Sequence, residues 1–224
     1  MQPSALSPQP CSIVVFASGR GSNFAALLAA QRSGELPIAI RALLSDKRTA
    51  PALLIAEQAG IAAEALAPRD FADRAAFDRA IFARAASFRP QLIVLAGYMR
   101  MIDAAAIAPW LGKIINIHPS LLPKYPGLRT HARVLEAGDT LHGASVHFVT
   151  AQLDGGPVIA QTELTVREGD TPESLAARLL PLEHRLLTAT VDLIARGRVV
   201  LGSDGVRLDG RTLDSPLRFS QELS

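Results

Sequence analysis

Ser12-Ile13-Val14-Val15-Phe16-Ala17-Ser18-Gly19-Arg20-Gly21-Ser22-Asn23 decides the fold. Residues 12–17 form a continuous apolar run without polar alternation, the mark of a strand covered on both faces. A glycine turn follows and runs into an alanine- and leucine-rich helix that reaches about Gln31. Strand, glycine turn and helix form the opening unit of a parallel sheet wound with helices. Ligands in such sheets bind outside the carboxyl ends of the strands.

The same unit recurs downstream. Strands are expected at 38–44, 62–66, 91–96 and 113–118, and helices at 49–59, 73–88 and 103–110, with Gly60 stopping the first of these. The alternation predicts an α/β fold: a right-handed, doubly wound, mostly parallel central sheet of Rossmann-like form with helices on both faces. After a short helix near 131–137 the rhythm changes. Strands at 142–150 and 157–166 flank Leu153-Asp154-Gly155-Gly156, which reads as a hairpin and gives the sheet a C-terminal antiparallel portion. Thr171 caps a long helix to Ala195 with Pro172 at its first position, and Pro181 inside it predicts a kink or break. Residues 199–201 and 206–208 form a terminal hairpin. The expected organisation is a disordered extension at 1–11, one domain at 12–210 and a tail at 211–224.

The 224 residues are enough for one α/β domain with a real core. Hydrophobic residues make up 49% and charged residues 20%, an ordinary soluble composition. The formal charge is only +2, and of 23 basic residues only Lys47, Lys113 and Lys124 are lysines. Arginine spread along the whole chain reads as codon bias, so no nucleic-acid partner is expected. The lone Cys11 cannot form an internal disulfide, which fits a reducing cytoplasm. No signal peptide, membrane span or metal-ligand spacing is visible.

Four motifs carry chemistry. Asn116 and His118 sit two apart on a strand, so both project to one face, and Ile115 and Ile117 to the other. An amide donor beside an imidazole suits negative charge developing on a carbonyl oxygen. Pro119, Pro123 and Pro126 then stiffen the loop that follows. Gly19-Arg20-Gly21-Ser22-Asn23 is either a monophosphate site at a helix N-terminus or a plain capped turn. Gly97-Tyr98-Met99-Arg100-Met101-Ile102 either clamps a flat heterocycle or belongs to the core. Ser145 and His147 share a strand face that either lines the cleft behind the reacting groups or meets solvent. Asp154 on its tight turn would favour a protonated His118 if the two meet.

Together with His142-Gly143-Ala144-Ser145-Val146-His147-Phe148-Val149, Leu153-Asp154-Gly155-Gly156-Pro157-Val158 and the loop Leu121-Leu122-Pro123-Lys124-Tyr125-Pro126-Gly127, these motifs resemble the folate-dependent phosphoribosylglycinamide formyltransferases across residues 12–210. The resemblance implies a nucleotide-binding N-terminal half and a folate-binding, catalytic C-terminal half. It implies transfer of a formyl group from 10-formyltetrahydrofolate to the amine of glycinamide ribonucleotide in purine (IMP) synthesis, without a metal. Gly21, Ser22 and Asn23 would hold the substrate phosphate and Glu183 the ribose. Arg74, Met99, Arg100, Met101, Ile102 and Asn116 would hold the folate. Asn116, His118 and Asp154 would be catalytic, with Asp154 raising the pKa of His118. Ala151 and Gln152 stand where relatives often carry acids, and Leu180 and Pro181 replace more polar residues near the ribose. The expected assembly is a monomer or homodimer.

Rival expectations are a formyltetrahydrofolate hydrolase, which would carry a further N-terminal domain, and a non-catalytic nucleotide-binding module. A dinucleotide-dependent oxidoreductase would need a third glycine where Phe24 stands, and an acid after the second strand, for which Asp46 is a weak match.

Overall fold

The computed structural model of the chain describes residues 9–219. In its first part strands and helices alternate: β1 (Cys11–Phe16), α1 (Ser22–Arg32), β2 (Ile38–Ser45), α2 (Pro51–Gln58), β3 (Ala62–Ala65), α3 (Arg74–Ser87), β4 (Leu92–Leu95), α4 (Ala104–Ile107) and β5 (Ile114–His118). Then come α5 (Thr130–Glu136), β6 (Leu141–Phe148), β7 (Val158–Thr165), α6 (Pro172–Ala195), β8 (Val199–Gly202), β9 (Gly205–Leu208), β10 (Arg211–Thr212) and β11 (Leu217–Phe219).

β1 has β2 on one side and β4 on the other, both parallel to it. That position explains its unbroken apolar run. Val14 and Phe16 enter one core with Phe77, Ile81 and Phe82 of α3, while Ile13 and Val15 enter a second core with Phe24 and Leu27 of α1. The eight-stranded sheet has the order β11-β7-β6-β5-β4-β1-β2-β3. β3, β2, β1, β4 and β5 are mutually parallel, whereas β6 is antiparallel to both β5 and β7. β8, β9 and β10 form a separate small antiparallel sheet. Among the described residues, no helix is long and apolar enough to cross a membrane.

Three expectations change. Pro181 does not break α6, which is helical throughout Pro172–Ala195. An interior proline costs about 3 kcal/mol, but α6 buries Leu175, Leu179, Leu182, Leu186, Leu187 and Val191. Each such side chain contributes roughly 1.5–3 kcal/mol, so packing outweighs the defect. Second, residues 211–219 are not simply a tail, because β10 extends the small sheet and β11 pairs in parallel with β7. Third, Cys11 is a buried first residue of β1, hydrogen-bonded through its N–H to Pro37, rather than part of an extension. Residues 1–8 of that expected extension, and 220–224, lie outside the described residues.

Candidate active site

The two faces of β5 separate structure from chemistry. Ile115 and Ile117 pack into the core beneath the sheet, and Asn116 and His118 line a cavity of about 540 Å³ above it. The β5–β6 ladder pairs Asn116 with His147 and His118 with Ser145. Cross-strand neighbours of an antiparallel pair touch, and Asn116 Nδ2 lies 3.2 Å from His147 Nε2. The turn between β6 and β7 returns Asp154 to the same place, in a left-handed conformation with φ 48°. Its Oδ1 is 3.4 Å from Asn116 Nδ2 and 3.6 Å from His147 Nε2, and its Oδ2 is 3.5 Å from His118 Nδ1.

Hydrogen bonding fixes the imidazoles. The carbonyl of Tyr125 can only accept, so His118 Nε2 carries the hydrogen of their 2.9 Å bond and Nδ1 faces Asp154. Likewise His147 Nδ1–H donates to the carbonyl of Phe148 at 2.9 Å, and its Nε2 faces both the Asn116 amide and the Asp154 carboxylate. Both acceptors around His118 favour its protonated form, yet its pKa lies below the ordinary imidazole value. Burial is the largest cause and outweighs the Tyr125 carbonyl and the Asp154 charge. The expected upward push of Asp154 on His118 is present, but desolvation outweighs it, so the net shift is downward. Burial also pushes the Asp154 carboxyl upward, but His147, the Gly127 N–H at 2.8 Å and the charge of His118 more than offset it, so Asp154 ends below the usual carboxylate range.

The loop after β5 is pinned from several sides. Ser145 is buried rather than solvated: its Oγ donates to the Ser120 carbonyl at 2.6 Å and accepts the Leu122 N–H at 3.0 Å. Gln161 Nε2 reaches both Ser145 Oγ at 2.8 Å and the Leu122 carbonyl at 2.9 Å. Asp139 receives Lys124 Nζ and the Tyr125 hydroxyl, each at 2.8 Å. Through Tyr125 this network reaches His118.

Met99, Arg100, Met101 and Ile102 form another wall of the same cavity. Met99 and Met101 are more than half exposed, so they are not core. Ala151 and Gln152 also line it. Arg74 does not: it is exposed at the first position of α3, and its charge acts on Asp78. Gly21, Ser22, Asn23 and Glu183 lie outside this cavity but form a group of their own. Gly21 precedes α1 with φ 79°, and an added Cβ would fall 2.6 Å from Ala52 Cβ, so the site admits only glycine. Two residues on, buried Asn23 donates to Glu183 Oε2 at 3.2 Å across 160 residues of sequence. Burial raises the Glu183 pKa, partly offset by that hydrogen bond.

One side-chain pair escaped the sequence reading. His131 lines the cavity, and its Nδ1 is 2.9 Å from Nε2 of buried His142. Nothing in the spacing of a helix residue and a strand residue announces that pair. Asp46 and Phe24, the positions a dinucleotide site would need, are both buried.

Residues 11–191 match the Formyl transferase family. The chain is 43% identical to phosphoribosylglycinamide formyltransferase of Escherichia coli (strain K12) over 202 residues, 90% of this chain and 95% of that protein. The solved structure of phosphoribosylglycinamide formyltransferase from Coxiella burnetii superposes with a TM-score of 0.90 at 43% identity, covering 94% of this chain and 99% of that one. A formyltetrahydrofolate deformylase from Pseudomonas putida KT2440 superposes at 0.79 with 27% identity, covering 91% of this chain and 72% of that one.

Proposed function

The chain belongs to the formyl transferase family, and from that premise we propose that it transfers the formyl group of 10-formyltetrahydrofolate to the amine of N1-(5-phospho-D-ribosyl)glycinamide, a step of purine synthesis in the cytoplasm. The observation that carries this reading is the meeting of Asn116, His118 and Asp154 on the floor of a cavity walled by Met99, Met101 and Ile102. Apolar lips over a few convergent polar groups suit a flat heterocycle delivered to a reacting centre. The E. coli and C. burnetii proteins named as phosphoribosylglycinamide formyltransferases support the choice of acceptor. Gly21, Ser22, Asn23 and Glu183 would hold the phosphate and ribose, because helix α1 presents free N–H groups there beside a buried carboxyl.

The substrate amine is already a nucleophile, so the protein needs no activated serine or cysteine. Its nitrogen attacks the formyl carbon, and the carbonyl electron pair becomes an oxyanion. Asn116 is the donor beside that oxygen. Its Nδ2 hydrogens are directed at His147 Nε2 and Asp154 Oδ1, and the bond to Asp154, the longer at 3.4 Å, is the one an oxyanion takes over. One such donor stabilises the transition state by about 3–4 kcal/mol. His118 Nδ1 carries the second proton when the ring is charged, and Asp154 stabilises that charge. The intermediate collapses with cleavage of the bond between the formyl carbon and the folate nitrogen. That nitrogen gains a proton, the attacking amine loses one, and His118 and Asp154 are the groups placed to move them.

The test is absorbance at the folate chromophore with purified protein, 10-formyltetrahydrofolate and the ribonucleotide. Deformylation that requires the ribonucleotide supports transfer. Equal deformylation without it means a hydrolase, the reaction class of the P. putida relative.

A further inference from the structure

Residues 97–102 form a wall of the cavity, and 97–103 belong to no helix or strand. Among the described residues, the backbone groups of Arg100, Met101 and Ile102 make no hydrogen bond, so they are free to meet a ligand. The two ends of the segment are held by side chains outside the cavity lining. At the first end, the Ser18 Oγ accepts the Met99 N–H at 2.9 Å, and the Ser18 N–H donates to the Gly97 carbonyl at 3.1 Å. At the second end, Asp78 Oδ2 accepts the Asp103 N–H at 2.8 Å.

Asp78 is an unusual anchor. It projects from α3 into the core and is wholly buried, with burial pushing its pKa upward despite the Asp103 N–H and the nearby Arg100 and Arg74 charges. Its Oδ1 has no hydrogen-bond partner, and neither do Asp46 Oδ1, the Tyr98 hydroxyl or Arg100 Nε, all buried. The Arg100 guanidinium rests 4.9 Å above the ring of Phe77, the helix neighbour of Asp78. A carboxyl buried this completely is costly, and a plain turn does not need one. A site that must hold an irregular strand-to-helix connection in one shape does.

We propose that Asp78 is a positioning residue for the folate: together with Ser18 it fixes residues 99–102 in the geometry that receives the heterocycle. The inference rests on reading the cavity as the folate site. It assigns to a core residue of α3 a selective effect on one substrate, since the phosphate and ribose group at Asn23 and Glu183 shares no hydrogen bond with it.

The experiment compares wild type, Asp78→Ala, Asp78→Asn and Ser18→Ala. Calorimetric affinity for 10-formyltetrahydrofolate is measured with KM for each substrate, kcat, and amide hydrogen exchange at Met99 and Asp103. Asp78→Ala should weaken folate binding on the order of tenfold or more, the size of one lost hydrogen bond to a charged acceptor. Its KM for the ribonucleotide and its kcat should stay within about twofold, because the reacting groups are untouched. Asp78→Asn keeps an oxygen for the Asp103 N–H and should recover most of the affinity. Exchange at Asp103 should speed up in Asp78→Ala alone. If Asp78→Ala fails to fold, Ser18→Ala carries the same expectation from the other end, read at Met99. Folate affinity equal to wild type in both alanine variants overturns the proposal, as does equal weakening of both substrates or an Asp78→Asn variant as weak as Asp78→Ala. A wild type that binds no folate overturns the reading of the cavity itself, which the wild-type titration reveals before any variant is compared.

Discussion

Two irregular segments border the cavity, one along residues 97–102 and the other at Pro119 and Gly127, and they are held very differently. Residues 119–127 after β5 are fastened by Ser145, Gln161, Asp139 and Asp154 along most of their length. Among the described residues, the backbone of 97–103 after β4 is hydrogen-bonded only near its ends, and its two methionines face outward. The first segment holds His118 through the Tyr125 carbonyl, and in the proposed reaction it serves the chemistry. The second offers apolar surface and free backbone, and in the proposed reaction it serves recognition. The proposed reaction would put tight fixation where a proton moves over a fraction of an ångström, and slack where a large ligand enters.

The largest effect should come from removing the groups that the first segment orients. His118→Ala and Asn116→Ala should each lower kcat at least about a hundredfold in the folate absorbance assay, with unfolding midpoints close to wild type. Turnover near normal in either variant removes it from the chemistry.

Acid should loosen the same region next. Burial is the main reason that the His142 pKa is pushed down to about 4, with the charges of His131 and His118 adding to it. The unfolded chain binds that proton near pH 6.5 and the folded chain does not. Stability is therefore full above about pH 6.5 and is lost as the pH falls toward 4, by about 3 kcal/mol for this one group. Urea midpoints at pH 7 and pH 5 measure the loss, and His142→Gln should flatten it. A midpoint that does not fall with pH contradicts the buried neutral pair.

Gln161→Ala should cost roughly 1–3 kcal/mol, since the Leu122 carbonyl is left without its buried donor. It should lower kcat more than it changes the folate KM, because it acts on the segment that steers His118. The smallest effect on stability should come from the second segment. Met99→Ala, at a side chain 64% exposed, should shift the folding free energy by no more than about 0.5 kcal/mol while raising the folate KM a few-fold. A Met99→Ala protein with altered kcat and unchanged KM would blur the division between the two segments.

Much of this was legible in the sequence because it depends on local pattern. The apolar run of β1 announced a strand covered on both faces, and the spacing of Asn116 and His118 announced a shared face. What stayed hidden depends on distant partners. The meeting of His131 with His142 is a product of packing, as is the anchoring of Asp103 by Asp78. Pro181 looked like a break until the buried leucine stripe of α6 was set against it. β11 is three residues long, and its apolar Leu217 and Phe219 gain meaning only beside β7. The net direction of the His118 pKa was also out of reach, because the attraction of Asp154 is visible from residue types and the depth of burial is not.

The central claim is that His118 and Asp154 act as one electrostatic unit at the end of the pinned loop. Titration of the His118 imidazole by NMR, in wild type and in Asp154→Asn, tests it most directly. The account predicts a wild-type pKa below 6.5 that falls further in Asp154→Asn, because the variant removes an upward push and leaves the desolvation in place. A His118 titration that is the same in both proteins would contradict it.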